Sequence, residues 1–114
     1  QEKASVASGY TDCSYLAQYA YLSINVSLPR RAEEQAEWCV QNGYEITFSE
    51  LQPGDLIFYS LSTTSDFRSV THVAIYCGEG MLIEASSSQN AVVYRPTWGL
   101  NQIVCVAHPF TNDT

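Results

Sequence analysis

The sequence is short of positive charge. Five Lys and Arg stand against twelve Asp and Glu, a formal net charge of −7. Phosphate binding needs clustered Lys and Arg, so nucleic acid is excluded as a partner, and anionic membranes are an equally poor match. No run approaches the ~20 consecutive apolar residues of a bilayer span. The four cysteines, at 13, 39, 77 and 105, have neither C-x-x-C nor metal-finger spacing. Internal repeats and low-complexity tracts are missing as well. What remains is a folded globular chain, 46% apolar and 15% charged, whose 114 residues make one domain with its own core. It begins at Gln1 without an initiator Met or signal peptide, and the expectation is a processed or excised piece of something longer. Residues 1–9 are small and polar and read as an irregular lead-in.

The informative stretch is Thr11-Asp12-Cys13-Ser14-Tyr15-Leu16. Asp12 is a good N-cap, because its carboxylate accepts from the orphan N–H groups of the following turn. Cys13 then stands in the first turn of a helix, where free N–H groups and the macrodipole favour an anion. A thiolate is the nucleophilic form of cysteine, and the same N–H groups suit an oxyanion. A small buried apolar Cys is the ordinary alternative, and only a nearby base decides between them.

From Cys13 to about Ile24 the apolar residues Leu16, Ala17, Tyr19, Ala20, Tyr21 and Ile24 cover most of the circumference, which predicts a buried helix. Leu28-Pro29 opens a second helix, with Pro in its first turn. This helix runs from Arg30 to about Asn42 with Leu28, Ala32, Ala36, Cys39 and Val40 on one face, and Asn42-Gly43 stops it. Trp38 reads as rim packing. The period then switches to two. Leu51-Gln52-Pro53-Gly54 is a turn. Asp55–Ser60, Thr71–Cys77, Met81–Ser86, Ala91–Arg95 and Gln102–Ala107 are five candidate strands. Residues 61–70 form a polar loop leading into His72, and Thr111–Thr114 is a frayed tail. Helices followed by an antiparallel meander make an α+β domain.

The candidate base is His72, at the start of a strand. A three-residue hairpin loop, Gly78-Glu79-Gly80, pairs Cys77 with Met81, Ala74 with Glu84 and His72 with Ser86. His72 and Glu84 then share a face on a diagonal, whereas a slip by one residue separates them. Glu84 accepts from one ring nitrogen and the other faces the thiol, the nucleophile–base–orienter arrangement of a triad. The carboxylate also favours the imidazolium, and hence a thiolate–imidazolium pair. His108 reads as structural or exposed.

These residues resemble the NlpC-type cell-wall endopeptidases of the papain-like superfamily. The matching blocks are Asp12-Cys13-Ser14; Leu28-Pro29-Arg30 with Gln35; Leu51-Gln52-Pro53-Gly54-Asp55-Leu56-Ile57-Phe58; and Thr71-His72-Val73-Ala74-Ile75-Tyr76 with the following turn and Met81-Leu82-Ile83-Glu84-Ala85-Ser86. They cover about three quarters of the chain, in the family's order. The resemblance implies a papain-like fold: a central antiparallel sheet of about five strands with the nucleophile helix packed on it. It also implies cleavage of peptidoglycan stem peptides between D-γ-glutamyl and a diamino acid. Cys13 is then the nucleophile, His72 the base and Glu84 the third polar residue, while Asp12 and Ser14 line the groove near the substrate's amino end. Two departures stand out. Tyr15 replaces the family's usual Gly and reshapes the groove, and Glu84 replaces the usual His and adds a negative charge. The family's upstream aromatic substrate-binding segment is not recognisable in residues 1–9; either this stretch lacks it or Tyr10 substitutes for it.

The expected chemistry is covalent amide hydrolysis by Cys13 and His72, with the Cys13 N–H as one oxyanion donor and with no metal or cofactor. The expected setting is secreted or at the cell envelope, as a monomer, with other domains in the full-length protein. Two other readings are a related amidase or acyltransferase on the same Cys–His pair and a catalytically silent wall-binding domain.

Overall fold

The computed structural model describes residues 13–60, 70–86 and 91–109. Within them the chain forms α1 (Cys13–Leu22), α2 (Ala32–Gln41), β1 (Glu45–Ile46), a 3-10 turn (Phe48–Glu50), β2 (Leu56–Tyr59), β3 (His72–Gly78), β4 (Met81–Ser86), β5 (Ala91–Pro96), a second 3-10 turn (Leu100–Gln102) and β6 (Ile103–Ala107). All strand pairs are antiparallel, in the order β1-β6-β2-β3-β4-β5. The α+β architecture is the expected one, with one strand more. That strand, β1, has two residues, paired with Ala107 and Val106, and is too short to carry a period. The lead-in, Tyr10, the Asp12 cap, the loop before Val70 and the C-terminal tail lie outside the described residues.

The helix α1 is not buried on every side as its composition predicts. Ser14, Ala17 and Tyr21 face inward, at i, i+3 and i+7. Tyr15, Tyr19 and Leu22 are 37%, 69% and 60% exposed. Two of these three are tyrosines, which lay an apolar ring on the surface and keep a polar tip in water. The helix also ends two residues earlier than predicted, at Leu22. Asn25 there takes a left-handed conformation (φ 66°), and the Val26 N–H returns to the Tyr21 carbonyl at 3.0 Å.

The helix α2 starts at Ala32, so Pro29 precedes it instead of standing in its first turn. Gln35, fully buried, explains the entry. Its Nε2 donates to the carbonyls of Pro29 (2.8 Å) and Ser14 (3.0 Å), tying this helix to the first turn of α1. Its inward face is Ala32, Gln35, Ala36 and Cys39. The stop is as expected: Gly43 takes φ +78°, and the Tyr44 N–H bonds back to the Cys39 carbonyl at 2.9 Å. Trp38 leans on Tyr44, ring centroids 5.4 Å apart, as a partly buried rim residue.

The pleat of β2 separates two apolar clusters. Leu56 and Phe58 join Val73, Ile75, Cys105 and the buried residues of both helices, while Ile57 and Tyr59 join Ala74, Leu82 and Val106 on the opposite face. At the turn before β2 the Asp55 N–H bonds to the Gln52 carbonyl at 3.0 Å, and Gly54 takes φ +98°. Pro then Gly at the two central positions is the chemistry of a type II turn.

The β3–β4 hairpin corrects one expectation. Its loop is two residues, Glu79 and Gly80, both with positive φ, as a type I′ turn requires. Gly78, and not Cys77, pairs with Met81. A two-residue loop alone puts His72 and Glu84 on opposite faces. The register shifts by one between Tyr76 and Gly78, however, and this bulge restores Tyr76↔Leu82 and Ile75↔Ile83. The expected phase of His72 against Glu84 is therefore reached by a different route.

Candidate active site

Cys13 is the first residue of α1, and His72 is the first residue of β3. His72 has the phase of Ala74, on the sheet face away from the helices. Only at a strand end can a ring on that face also meet a helix packed on the other. His72 Nε2 lies 2.6 Å from Glu84 Oε1, which leaves Nδ1 as the ring nitrogen for the thiol. Burial alone would lower the His72 pKa. Hydrogen bonding with Cys13 and then with Glu84, together with their negative charges, outweighs it and raises the pKa to about 9. The imidazolium is thus the favoured form at neutral pH.

Glu84 is an interior residue of the sheet, on β4 between β3 and β5, with its side chain only 4% exposed. Burial pushes its pKa up. Hydrogen bonding and charge from His72, a hydrogen bond from Trp98 and the charge of Arg95 together bring it below the usual carboxylate value. Trp98 Nε1 donates to both carboxylate oxygens, at 3.2 and 3.1 Å, and Arg95 Nε stands 3.1 Å from Oε2. Trp98 is held in turn by Tyr59. The two rings stack 4.1 Å apart at an interplanar angle of 2°, and the Tyr59 hydroxyl donates to the Trp98 carbonyl at 2.9 Å.

The other three cysteines are poor nucleophiles. None of the four is in a disulfide. Burial, then a neighbouring thiol, pushes Cys39 up to about 12; burial, then Glu45, does the same to Cys105; burial also raises Cys77. Cys13 alone has an imidazole beside it.

A cleft of about 480 Å³ opens next to the thiol, lined by Cys13, Ser14, Arg30, Arg31, Glu33 and Thr71 among others. Ser14 lines this cleft, and its hydroxyl accepts from Arg30 Nη1 at 2.9 Å. The Arg30 guanidinium also lies 5.7 Å from the ring centroid of Tyr15. Arg31 pairs with Glu33 at 3.1 Å. Of the expected site residues, Cys13, His72, Glu84 and Ser14 come together, with Tyr15 beside Arg30; Asp12 and Tyr10 lie outside the described residues. His108 is structural, its Nδ1 2.6 Å from Asp55 Oδ1. Sequence reasoning missed Arg95 and Trp98. The signal for Arg95 is the β4–β5 register, which sets it opposite Leu82 and so on a diagonal from Glu84, whereas Trp98 follows β5 and has none. No helix among the described residues is long and apolar enough to cross a membrane.

Known proteins share this arrangement of elements. Over 83 residues the chain is 34% identical to a γ-DL-glutamyl hydrolase of Bacillus subtilis, covering 72% of this chain and 18% of that protein. Over 85 residues it is 34% identical to the peptidoglycan endopeptidase RipB of Mycobacterium tuberculosis, covering 75% and 31% respectively. The solved structure of NlpC1 from Trichomonas vaginalis superposes with a TM-score of 0.74 at 28% identity, over 89% of this chain and 35% of that one. The chain thus spans about a third or less of the length of these relatives. The NlpC/P60 family model matches residues 4–102, and the chain belongs to the NlpC/P60 family.

Proposed function

We propose that the chain is a cysteine endopeptidase of peptidoglycan stem peptides, acting at a D-γ-glutamyl–diamino acid bond in a secreted or cell-envelope setting. The observation that carries the reading is the line of groups from Cys13 through His72 to Glu84, with Nε2 and Oε1 2.6 Å apart. The Cys13 thiolate attacks the scissile carbonyl and forms a C–S bond. His72, as imidazolium, gives its proton to the departing amine as the C–N bond breaks. Water then loses a proton to His72 and attacks the thioester, and the C–S bond breaks to return the thiolate. The N–H of Cys13, without an acceptor inside its own helix, is one donor to the oxyanion.

The cleft supports the glutamyl side of the assignment. A γ-linked glutamyl residue presents a free α-carboxylate, and Arg30 and Arg31 line the wall beside Cys13 in a chain with only five Lys and Arg. The name of the B. subtilis relative, a γ-DL-glutamyl hydrolase, supports the glutamyl side of that bond. Purified peptidoglycan incubated with the protein tests the reading, with products sequenced by mass spectrometry. New diamino-acid amino termini are expected from the wild type and none from Cys13→Ala. Cleavage at the muramyl–alanine amide, or equal cleavage by Cys13→Ala, overturns it.

A further inference from the structure

A carboxylate in the third position creates a problem that an imidazole does not. Once Cys13 and His72 form an ion pair, Glu84 leaves the triad with a surplus negative charge. With Glu84 almost fully buried, that surplus is costly, and burial drives the carboxylate toward its protonated form, in which it no longer favours the imidazolium. The structure contains the remedy. Arg95 Nε meets Glu84 Oε2 at 3.1 Å, so the four groups together are neutral when the thiol is ionised. Trp98 Nε1 bridges both oxygens, and its stack on Tyr59 fixes the indole. Each oxygen thus has a separate task, Oε1 toward His72 and Oε2 toward Arg95.

We propose that Arg95 is the counter-charge, and Trp98 the clamp, that allow a carboxylate to serve as the third member of this site; both are positioning residues acting through Glu84. The inference rests on the reading of Cys13 as nucleophile and adds to it two residues outside the triad. Among the described residues the ionisable groups acting on Glu84 or His72 are Cys13 on α1, Tyr59 on β2, His72 on β3 and Arg95 on β5. Arg95 is the only guanidinium of that set. Its side chain is 37% exposed, so its charge acts partly screened.

The test is the pH dependence of Cys13 alkylation by iodoacetamide, read on the Cys13 peptide by mass spectrometry. Arg95→Met is expected to move the midpoint up by about half to one pH unit. Arg95→Lys keeps the charge and returns most of that shift. Removing both charges in Glu84→Gln/Arg95→Met leaves the midpoint at or above that of Arg95→Met alone, because the carboxylate that favours the imidazolium is gone as well. Trp98→Phe removes a donor and no charge, so it lowers kcat/KM about tenfold with a smaller change in midpoint. Coincident midpoints for wild type and Arg95→Met overturn the inference while leaving the hydrolase reading intact. A wild-type Cys13 no more reactive at pH 6 than a free thiol overturns both.

Discussion

His108 and Asp55 meet at 2.6 Å, joining the residue after β6 to the residue before β2. Asp55 is fully buried, and its second oxygen accepts the Gln52 N–H at 2.8 Å. Its charge also adds to the burial that raises the Tyr21 pKa, while the Tyr21 hydroxyl donates to the Gly54 carbonyl. Removing one partner of a buried pair strands the other, at about 3–5 kcal/mol. His108→Ala is expected to lose on that order in urea denaturation, and His108→Gln less, because it retains a donor. A loss under about 1 kcal/mol for His108→Ala contradicts a structural role for the pair.

The triad makes stability depend on pH. His72 has a folded pKa of about 9 against an ordinary 6.5. The folded state therefore holds this proton more tightly. The contribution is full below about pH 6.5 and is lost as pH rises through about 9. Glu84 runs the other way. Its folded pKa is lowered from 4.5, so its contribution is present above that value and is lost as pH falls through the lowered one. The pair stabilises most between about pH 4.5 and 6.5. The unfolding free energy from urea denaturation should fall from pH 6.5 to 9 by an amount on the order of 3 kcal/mol. His72→Gln should flatten that limb, and an unchanged slope removes the explanation.

Gly78 pairs with Met81 at the base of the hairpin, with φ +92°. A Cβ there would stand 3.1 Å from Pro53 Cγ. Gly78→Ala therefore meets both backbone strain and a crowded proline, and about 1–2 kcal/mol of destabilisation is expected. A drop in Tm of several degrees checks this, and an unchanged Tm contradicts it.

Arg30 on the cleft wall is expected to act on substrate affinity. Replacing Arg30 by Gln keeps a donor toward Ser14 and removes the charge. KM for a stem peptide should rise about 10- to 100-fold, as for one charge-assisted contact, with kcat little changed. An equal loss on a substrate whose glutamyl α-carboxylate is amidated shows that the cation serves something else.

Positions 84 and 95 should be coupled. The family resemblance makes His the usual third residue, yet Glu84→His here sets an imidazole against Arg95. The single variant is expected to be the poorer enzyme, and Glu84→His/Arg95→Val to recover part of the kcat/KM. Additive effects of the two changes argue against coupling.

The line from Cys13 through His72 to Glu84 was legible because its members sit where sequence is loud. Cys13 follows an Asp, a residue type favoured at helix caps, and His72 and Glu84 fall within a hairpin whose phase can be counted. The count reached the right face although the loop is shorter, because the bulge between Tyr76 and Gly78 supplies the missing residue; nothing local marks a bulge there. Arg95 and Trp98 were hidden because their role exists only across strands. Neither has a pattern of its own, and the stack on Tyr59 joins residues 39 apart. The exposed tyrosines of α1 were misread for a related reason. Periodicity counts a tyrosine as apolar, whereas packing also admits it at the surface.

The chain contains two tryptophans, and they lie in unlike surroundings. Trp38 leans on Tyr44 at the rim, while the indole N–H of Trp98 touches the Glu84 carboxylate. Intrinsic fluorescence is therefore a built-in optical gauge of the buried carboxylate and its partners. Replacing Trp38 by Phe would leave a single emitter, whose colour and brightness would follow proton movements and ligand arrival at the triad without any dye.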